Sequence, residues 1–281
     1  MENKIVLDHG SYYIKYGFVG YNSPMGKLRT FKSIINNNYE NSSYEDSSYE
    51  DSSYEYNNYE DNDYPIKNGI IVNYDLMCTI WDNIFFDKLK IRPKDCYLLV
   101  TDPILNGNEN RKKIEHIMKN KYLFKNVTFV NQQILSLFGN GRNRGLVVDI
   151  GYDSSKIVPI YDGHILERGI VISPLCKKNM STLDDKQILE ALEDPFISNL
   201  DTESIGEAII KSIEYSPIDL RKVLYQNILI VGGGSMIPGI GNSILKSIRK
   251  TKKIPFKIKI AAPRDRNILS WIGGSIYGSI C

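Results

Sequence analysis

Two similar segments, about half a chain apart, constrain the fold of this sequence more than any other feature. Residues 146–159 (LVVDIGYDSSKIVP) run from an apolar stretch to Asp149, pass through Gly151 and small polar residues, and enter a second apolar stretch. Residues 5–18 repeat this arrangement, with Ile-Val-Leu leading to Asp8, a glycine and a returning segment. Each segment predicts a buried strand, a tight turn and a returning strand. The pair predicts two like halves that face one ligand.

The end of the first strand in each segment has the chemistry of a metal and anion site. A carboxylate at the point where a buried strand meets a glycine turn is a usual place to hold a hydrated metal ion, and the N–H groups of the turn can face an anion. Asp-x-Gly is also a common plain turn, so one copy alone carries little weight. The candidate ligand-binding residues of the two turns are Gly10, Ser11, Gly151 and Ser154.

Length and composition indicate one large or two medium domains with real cores. The chain has 281 residues, of which 42% are hydrophobic. The four cysteines are scattered and none of the three histidines lies in a ligand pattern, which argues against a zinc site and favours a reducing compartment. No apolar run approaches the length of a membrane span and the N-terminus lacks signal-peptide character. We therefore expect a cytoplasmic protein without membrane insertion.

An acidic insert interrupts this otherwise basic chain. Residues 36–64 repeat SSYED-like units and hold nine acidic residues but no Lys or Arg, which leaves 35 basic against 24 acidic residues elsewhere. Almost no aliphatic residues are present to offset the entropy of ordering, so the composition predicts disorder. The basic body could bind an acidic partner or its own insert. Basic and aromatic residues are not interleaved, so direct nucleic-acid binding is not expected.

Outside the insert, strands and helices alternate, which indicates the α/β class. An apolar stripe predicts a helix over residues 75–89, capped by Asp75, and alternation predicts a strand over 256–260. The apolar C-terminal segment 268–280 predicts a helix broken at Gly273 and its neighbouring glycine.

A third glycine element follows a buried strand near the C-terminus. In ILIVGGGSMIPG the glycines let the backbone approach a flat or phosphate-bearing ligand, and a following helix N-terminus favours anions. The alternative is a plain strand-to-helix turn that needs positive φ. With the two hairpins, this element describes a nucleotide held between two halves, with the hairpins on the phosphates and the glycine turn near the base.

These segments resemble actin and the actin-related proteins, within the superfamily of sugar kinases, chaperones and actin. The matching segments include YPIKNGIIVNYDLMCTIW, QQILSLFGNGRNRGLVVDIG, VPIYDG, SPIDLRKVLYQNILIVGGGSMIPG and KIKIAAPRDRNILSWIGGSIYGS. The resemblance implies two ribonuclease-H-like halves around a nucleotide cleft. The first half would comprise 1–35 and 65–139, with 265–281 packing back on it, and the second 140–264.

The resemblance also implies ATP or ADP with Mg²⁺ as cofactor and assigns roles to site residues. Asp8 and Asp149 would hold the metal through water, Lys15 would lie near the phosphates, and Gln132 would position the attacking water. On the adenine side it implies Gly232, Gly233, Ser235 and Met236.

Several departures from the family pattern bear on activity. Tyr152 stands where actin has another Asp, Tyr12 where actin has Gly, and Lys156 where actin has a His near the water. The upper lobe at 175–200 is far shorter than in actin, and the insert at 36–64 replaces the other small subdomain. A cleft without these lobes would exclude water poorly, which disfavours hydrolysis.

The departures favour a structural hypothesis. The chain would be a divergent actin-related protein, most similar to that of the dynactin pointed end, and would act as a scaffolding component of a cytoskeletal assembly with nucleotide bound statically or weakly. Its partners would be other actin-family or complex subunits, in the cytoplasmic cytoskeleton or a nuclear remodelling complex. The alternative is a polymerising Mg-ATPase that uses Asp8, Gln132 and Asp149 as catalytic residues. A small-molecule kinase is a further option, for which no acceptor-activating Asp is recognised.

Overall fold

The structure, a computed structural model, describes residues 3–30 and 64–281. The disorder predicted for residues 36–64 falls outside these ranges except for the last residue. The strands are β1 (Asn3–His9), β2 (Tyr13–Phe18), β3 (Gly26–Arg29), β4 (Ile66–Lys67), β5 (Ile70–Ile71), β6 (Cys96–Asp102), β7 (Asn126–Asn131), β8 (Gly145–Ile150), β9 (Ser155–Tyr161), β10 (His164–Ile165), β11 (Val171–Ser173), β12 (Ile228–Val231) and β13 (Ile260–Ala261). The helices are α1 (Tyr74–Asp82), α2 (Asn108–Asn120), α3 (Gln132–Gly139), α4 (Asp185–Ala191), α5 (Ile205–Glu214), α6 (Ile218–Tyr225), α7 (Ile240–Thr251) and α8 (Leu269–Ile280).

Two sheets with the same topology confirm the two like halves. The first sheet has the order β3-β2-β1-β6-β7, and the second has β10-β9-β8-β12-β13 with β11 also paired to β9. In each, an antiparallel hairpin (β1–β2 or β8–β9) is followed by a parallel strand beside its first member (β6 or β12). The carboxyl ends of the parallel strands therefore lie beside the hairpin turns, where ligands bind in α/β sheets.

Each half has its own apolar core. Trp81 and Phe85 are fully buried in the first core, against β1 and β6. The second core lies between β8, β12 and helices α5 and α7. A smaller cluster of Val6, Leu99, Leu135 and Trp271 joins β1 and β6 to helices α3 and α8. Among the described residues, no helix is long and apolar enough to cross a membrane.

The predicted break in the C-terminal helix is wrong, because α8 runs without interruption from Leu269 to Ile280. Its glycines serve close helix packing instead. A Cβ at Gly273 would overlap the carbonyl oxygen of Leu135 in α3, and a Cβ at Gly139 would lie 2.5 Å from the carbonyl oxygen of Leu269. The two helices cross backbone to backbone, and α8 also packs against β1.

Two other local predictions are corrected. The cap of α1 is Asn73, whose side chain accepts from the N–H of Leu76, so Asp75 lies in the first turn instead. After Asp82 the chain continues as a π-helix, Asn83–Lys88. The strand predicted over 256–260 is reduced to Ile260–Ala261, because β12 begins at Ile228, directly opposite Ile260, and offers no partner to earlier residues.

Candidate functional site

The two hairpin turns have the same backbone geometry. The N–H of Gly10 donates to the carbonyl of Tyr13 (3.1 Å), and the N–H of Gly151 donates to that of Ser154 (3.2 Å). A Cβ at these glycines would lie 2.6 and 2.8 Å from the same carbonyl oxygens, so both turns require glycine. The strand registers place Asp8 directly opposite Lys15, and Asp149 directly opposite the seventh residue after it, Lys156.

Asp8 is buried and its carboxylate accepts four hydrogen bonds. Oδ2 accepts from the Lys15 ammonium (2.8 Å) and from the Ser270 hydroxyl (2.7 Å). Oδ1 accepts from the Thr101 hydroxyl (2.8 Å) and from Gln132 Nε2 (3.3 Å). Burial alone would raise the pKa of Asp8, but the charge of Lys15 and the hydrogen bonds from Lys15, Ser270 and Thr101 hold it below its ordinary value.

Two adjacent glutamines at the start of α3 connect the two carboxylates. Gln132 Nε2 also donates to the carbonyl of His9 (3.1 Å), while Gln133 Nε2 donates to Asp149 Oδ2 (2.8 Å). The structure therefore places Asp8, Gln132 and Asp149 around the start of α3, and their catalytic roles stay predictions. The amide nitrogen of Gln132 is engaged by protein acceptors.

The third glycine element lies next to Asp149 because β12 runs parallel to β8, with Val231 opposite Asp149. Gly232 has φ +95°, and a Cβ there would lie 2.5 Å from Asp149 Oδ1. Gly233 borders open space. The glycine turn thus has the positive φ expected of a plain strand-to-helix turn, and its backbone lies beside Asp149. Its approach to a ligand stays a prediction.

The other two predicted residues of this element, Ser235 and Met236, are less exposed than Gly233. Ser235 is fully buried, and its hydroxyl donates to the carbonyl of Gly232 (2.7 Å). Arg266 donates to the carbonyl of Ser235 through Nε (3.1 Å) and Nη2 (2.9 Å). These two hydrogen bonds hold the glycine turn in place. Met236 is half-buried at the start of the following segment. The predicted contacts of both residues with an adenine stay predictions.

A bridge of tyrosines spans the two hairpin turns. The ring of Tyr12 in the first turn lies 4.8 Å from that of Tyr152 in the second, measured between centroids. Tyr64 stacks on Tyr152 at 6.0 Å, with the two hydroxyls 3.5 Å apart. We call Tyr12, Tyr64 and Tyr152 the tyrosine bridge. Next to it, the N–H of Asn68 donates to Asp153 Oδ2 (2.9 Å), so polar contacts also cross between the halves.

The same region holds polar atoms that lack partners. Within the described ranges, Ser154 Oγ and Gln133 Oε1 are buried and make no hydrogen bond. Lys156 is only 7% exposed as a residue, but its ammonium is not among the buried atoms that lack a partner. Lys15, its counterpart in the first hairpin, is paired with Asp8. The polar groups of the second hairpin are therefore less satisfied than those of the first.

The donor set fits a magnesium ion poorly. In the described part of the chain no group of three or more His, Cys, Asp or Glu residues could hold a metal ion. The carboxylate of Asp8 is occupied by four protein donors, Asp149 is bound by Gln133, and Tyr152 stands where the family pattern has a further Asp. The predicted water-mediated metal contacts of Asp8 and Asp149 stay predictions.

Sequence reasoning missed three residues that position the carboxylates. The position of Thr101 follows from the parallel register of β6 with β1, in which Leu7 lies opposite Val100. The next residues of the two strands, Asp8 and Thr101, are therefore neighbours. Gln133 stands beside the recognised Gln132, so its position was a usable signal. Ser270 lies 262 residues from Asp8, and only the docking of α8 brings it there.

Comparison with known proteins identifies what this arrangement resembles. A family model described as Actin matches residues 1–198 and 182–281. The chain is 27% identical to Actin-related protein 2 of Arabidopsis thaliana over 366 residues, which cover 100% of this chain and 93% of the relative. It is 25% identical to Actin-related protein 2 of Acanthamoeba castellanii (98% and 92% covered), and 26% identical to that of Oryza sativa subsp. indica (99% and 92%). The finer likeness to the dynactin pointed-end protein stays a prediction.

Proposed function

Because this chain belongs to the actin family, we propose that it is a structural subunit of a cytoskeletal assembly that binds nucleotide statically or weakly and does not turn it over. Its partners are other actin-family chains or further subunits of the same complex. The assembly lies in the cytoplasmic cytoskeleton, with a nuclear remodelling complex as the other location. The observation that carries this proposal is the tyrosine bridge between the hairpin turns.

The tyrosine bridge occupies the opening that phosphates would enter. Tyr12 and Tyr152 replace a Gly and an Asp of the family pattern, and their rings meet at 4.8 Å across the two turns. Aromatic pairs at this distance attract each other. A nucleotide must separate these rings or bind without its phosphates between the turns, which supports weak binding.

The engaged carboxylate and amide also support the absence of turnover. Hydrolysis in this type of site needs a carboxylate that holds the water shell of a metal and an amide that orients the attacking water. Asp8 accepts four protein hydrogen bonds, and the amide nitrogen of Gln132 donates to Asp8, His9 and Thr101. Both the carboxylate of Asp8 and the amide nitrogen of Gln132 therefore form hydrogen bonds with other protein groups in this arrangement.

The length of the chain supports reduced upper lobes. The alignment with the Arabidopsis relative runs over 366 residues, whereas this chain has 281, so about 85 aligned positions have no counterpart here. The insert at 36–64 and the short segment at 175–200 are the places where we expect the lobes to be missing. A cleft without lobes admits water, which disfavours hydrolysis.

An apolar surface on the C-terminal helix offers a face for assembly. Ile276 and Ile280 of α8 are exposed, as are Tyr21 and Met25 of the segment packed against it. Ser275 holds that segment in place, since its hydroxyl donates to the carbonyl of Tyr21 (2.8 Å). Ile276 and Ile280 lie four residues apart and share one side of α8, and we call these two residues the C-terminal face. Clustered exposed apolar residues mark interaction sites more often than scattered ones do.

The proposal is tested by isolating the tagged chain from its own cells and measuring the mass and stoichiometry of the particle that contains it. We expect a particle with a fixed ratio of this chain to another actin-family chain. The double variant Ile276→Asp/Ile280→Asp should leave this particle, whereas Phe196→Asp, which alters a 70% exposed residue outside the C-terminal face, should remain. A monomeric wild-type chain would contradict the proposal.

The second candidate function is a polymerising Mg-ATPase. It is favoured by one observation, the meeting of Asp8, Gln132 and Asp149 around the start of α3. This function predicts ATP turnover coupled to filament growth, and it predicts that Gln132→Ala abolishes both. The structural function predicts that Gln132→Ala leaves assembly unchanged.

A further inference from the structure

A cavity opens at the end of the first sheet that lies away from the hairpin turns. Its volume is about 680 Å³, within the usual range of ligand-binding cavities. Its lining includes Asn3, which begins β1, and Asp95, which directly precedes β6. These strands are parallel, so the cavity lies at their amino ends, whereas Asp8 lies near the carboxyl end of β1. The cavity is therefore separate from the candidate functional site.

The lining of this cavity combines apolar side chains with cations. The apolar residues, all buried or half-buried, are Phe18, Leu89 and Ile91. The cations, all exposed, are Lys90, Arg92 and Lys125, and we call these three residues the basic rim. Among the described lining residues the only acid is Asp95, whose Oδ2 lies 2.9 Å from Arg92 Nη2. The charge of the lining is therefore positive, even with Arg92 paired.

The local sequence extends this positive charge along the edge of the cavity. Residues 88–94 (KLKIRPK) have Lys or Arg at every second position and no acidic residue. All four cations of this segment are exposed, whereas the three residues between them are buried or half-buried. The alternation anchors the segment by its apolar residues and keeps its charges at the surface. Clustered charges of one sign raise the local concentration of an oppositely charged partner.

The lining defines the chemistry of a suitable occupant. Carboxylates complement the basic rim, and apolar side chains complement the buried part of the lining. A simple oxyanion or a phosphate backbone would use the cations but leave the apolar lining uncovered. A peptide that carries acidic and apolar side chains in a short stretch supplies both kinds of contact.

We propose that this cavity is a docking site for an acidic segment of a partner protein. Apolar side chains of the segment enter the cavity beside Phe18 and Ile91, and its carboxylates pair with the basic rim. The charges favour encounter and select an acidic partner, while the burial of apolar surface holds it. The docking site uses neither the hairpin turns nor the C-terminal face, so it goes beyond the structural function proposed above.

The test is fluorescence anisotropy of a labelled peptide made of three Asp-Leu-Glu-Ser repeats, titrated with the purified full chain. We expect binding that weakens as the salt concentration rises, because ions screen charges at a surface. A peptide of Asn-Leu-Gln-Ser repeats lacks the carboxylates, and one of Asp-Ser-Glu-Ser repeats lacks the apolar side chains. Each should bind about tenfold more weakly than the first peptide.

The informative variant is Lys90→Gln/Lys125→Gln, which removes two charges of the basic rim. Both residues are exposed, so the fold should be retained, and the Tm checks this. The Kd for the acidic peptide should rise about tenfold. The matched control is Lys253→Gln/Lys257→Gln, which removes the same charge from exposed positions in the second half and should bind the peptide as the wild type does.

The inference is overturned if the acidic peptide does not bind, or if it binds the Lys90→Gln/Lys125→Gln variant as tightly as the wild type. Binding to vesicles of phosphatidylserine and phosphatidylcholine in place of the peptide would identify a membrane surface as the occupant. Peptide binding that becomes much tighter when residues 41–61 are deleted would identify the chain's own acidic insert as the occupant, which also contradicts a partner segment.

The outcome is independent of the particle measurement. A chain that assembles normally but fails the peptide test overturns the docking site alone. A monomeric chain that binds the acidic peptide through the basic rim contradicts the structural function and leaves the docking site in place.

Discussion

Replacement of Tyr152 by Ala should make the protein less stable and its nucleotide binding tighter. The ring of Tyr152 lies 4.8 Å from that of Tyr12 and 6.0 Å from that of Tyr64. Aromatic pairs contribute about 0.5–1.5 kcal/mol each beyond the area they bury. The more distant pair falls at the low end of this range, so the lost contacts and burial together amount to about 2 kcal/mol. For a chain of this size that is a fall in Tm of about 4–8 °C.

The same change should help a nucleotide, because the rings no longer need to be separated. If the full 2 kcal/mol opposes binding, its removal lowers the Kd for ATP by about 30-fold. The assay combines thermal unfolding without ligand and calorimetric titration with ATP. Tyr215→Ala is the matched control, since Tyr215 is 57% exposed and lies outside the tyrosine bridge. A loss of Tm no greater than that of the control, or weaker ATP binding, would refute the reasoning.

Two further predictions concern the framework. Gly273→Ala places a Cβ against the carbonyl oxygen of Leu135, so it should destabilise the fold by about 3 kcal/mol or more. Gly241→Ala in α7, where the nearest atom to the new Cβ is 3.8 Å away, should instead stabilise the fold by up to about 1 kcal/mol. Urea unfolding measures the free energy of unfolding of both variants. Burial lowers the pKa of His9 to about 4 while Asp8 opposes the shift, so the unfolded chain binds an extra proton between pH 6.5 and 4. Stability should therefore be full above pH 6.5 and fall by about 3 kcal/mol towards pH 4. His9→Gln, which keeps an acceptor for Trp81 Nε1, should flatten this slope, and an unchanged slope would show that His9 is not its cause.

The hairpins could be predicted because their signal is local. An apolar strand, an Asp, a Gly and a returning strand stand within fourteen residues of each other, and strand propensity and turn chemistry agree there. The glycine requirement of Gly10 and Gly151 follows from the turn itself.

The other parts of the site depend on contacts between distant segments. Ser270 reaches Asp8 only because α8 packs across β1, and Thr101 does so only through the parallel pairing of β6. Gly273 was misread because a glycine in a helix pattern indicates either a break or a close approach, and only the position of α3 decides between them. Lys156 was recognised as a departure from the family, but its burial to 7% exposure is a property of the folded chain.

The central claim is that this chain has an actin-like framework that serves as a structural part and does not hydrolyse ATP. Nucleotide content tests it most directly: the protein is purified and denatured, the released ATP and ADP are quantified, and single-turnover hydrolysis of added ATP is followed in parallel. We predict either no nucleotide or unhydrolysed ATP, with no phosphate release above that of Gln132→Ala. Stoichiometric ADP, together with phosphate release that Gln132→Ala abolishes, would contradict the claim and establish the polymerising Mg-ATPase in its place.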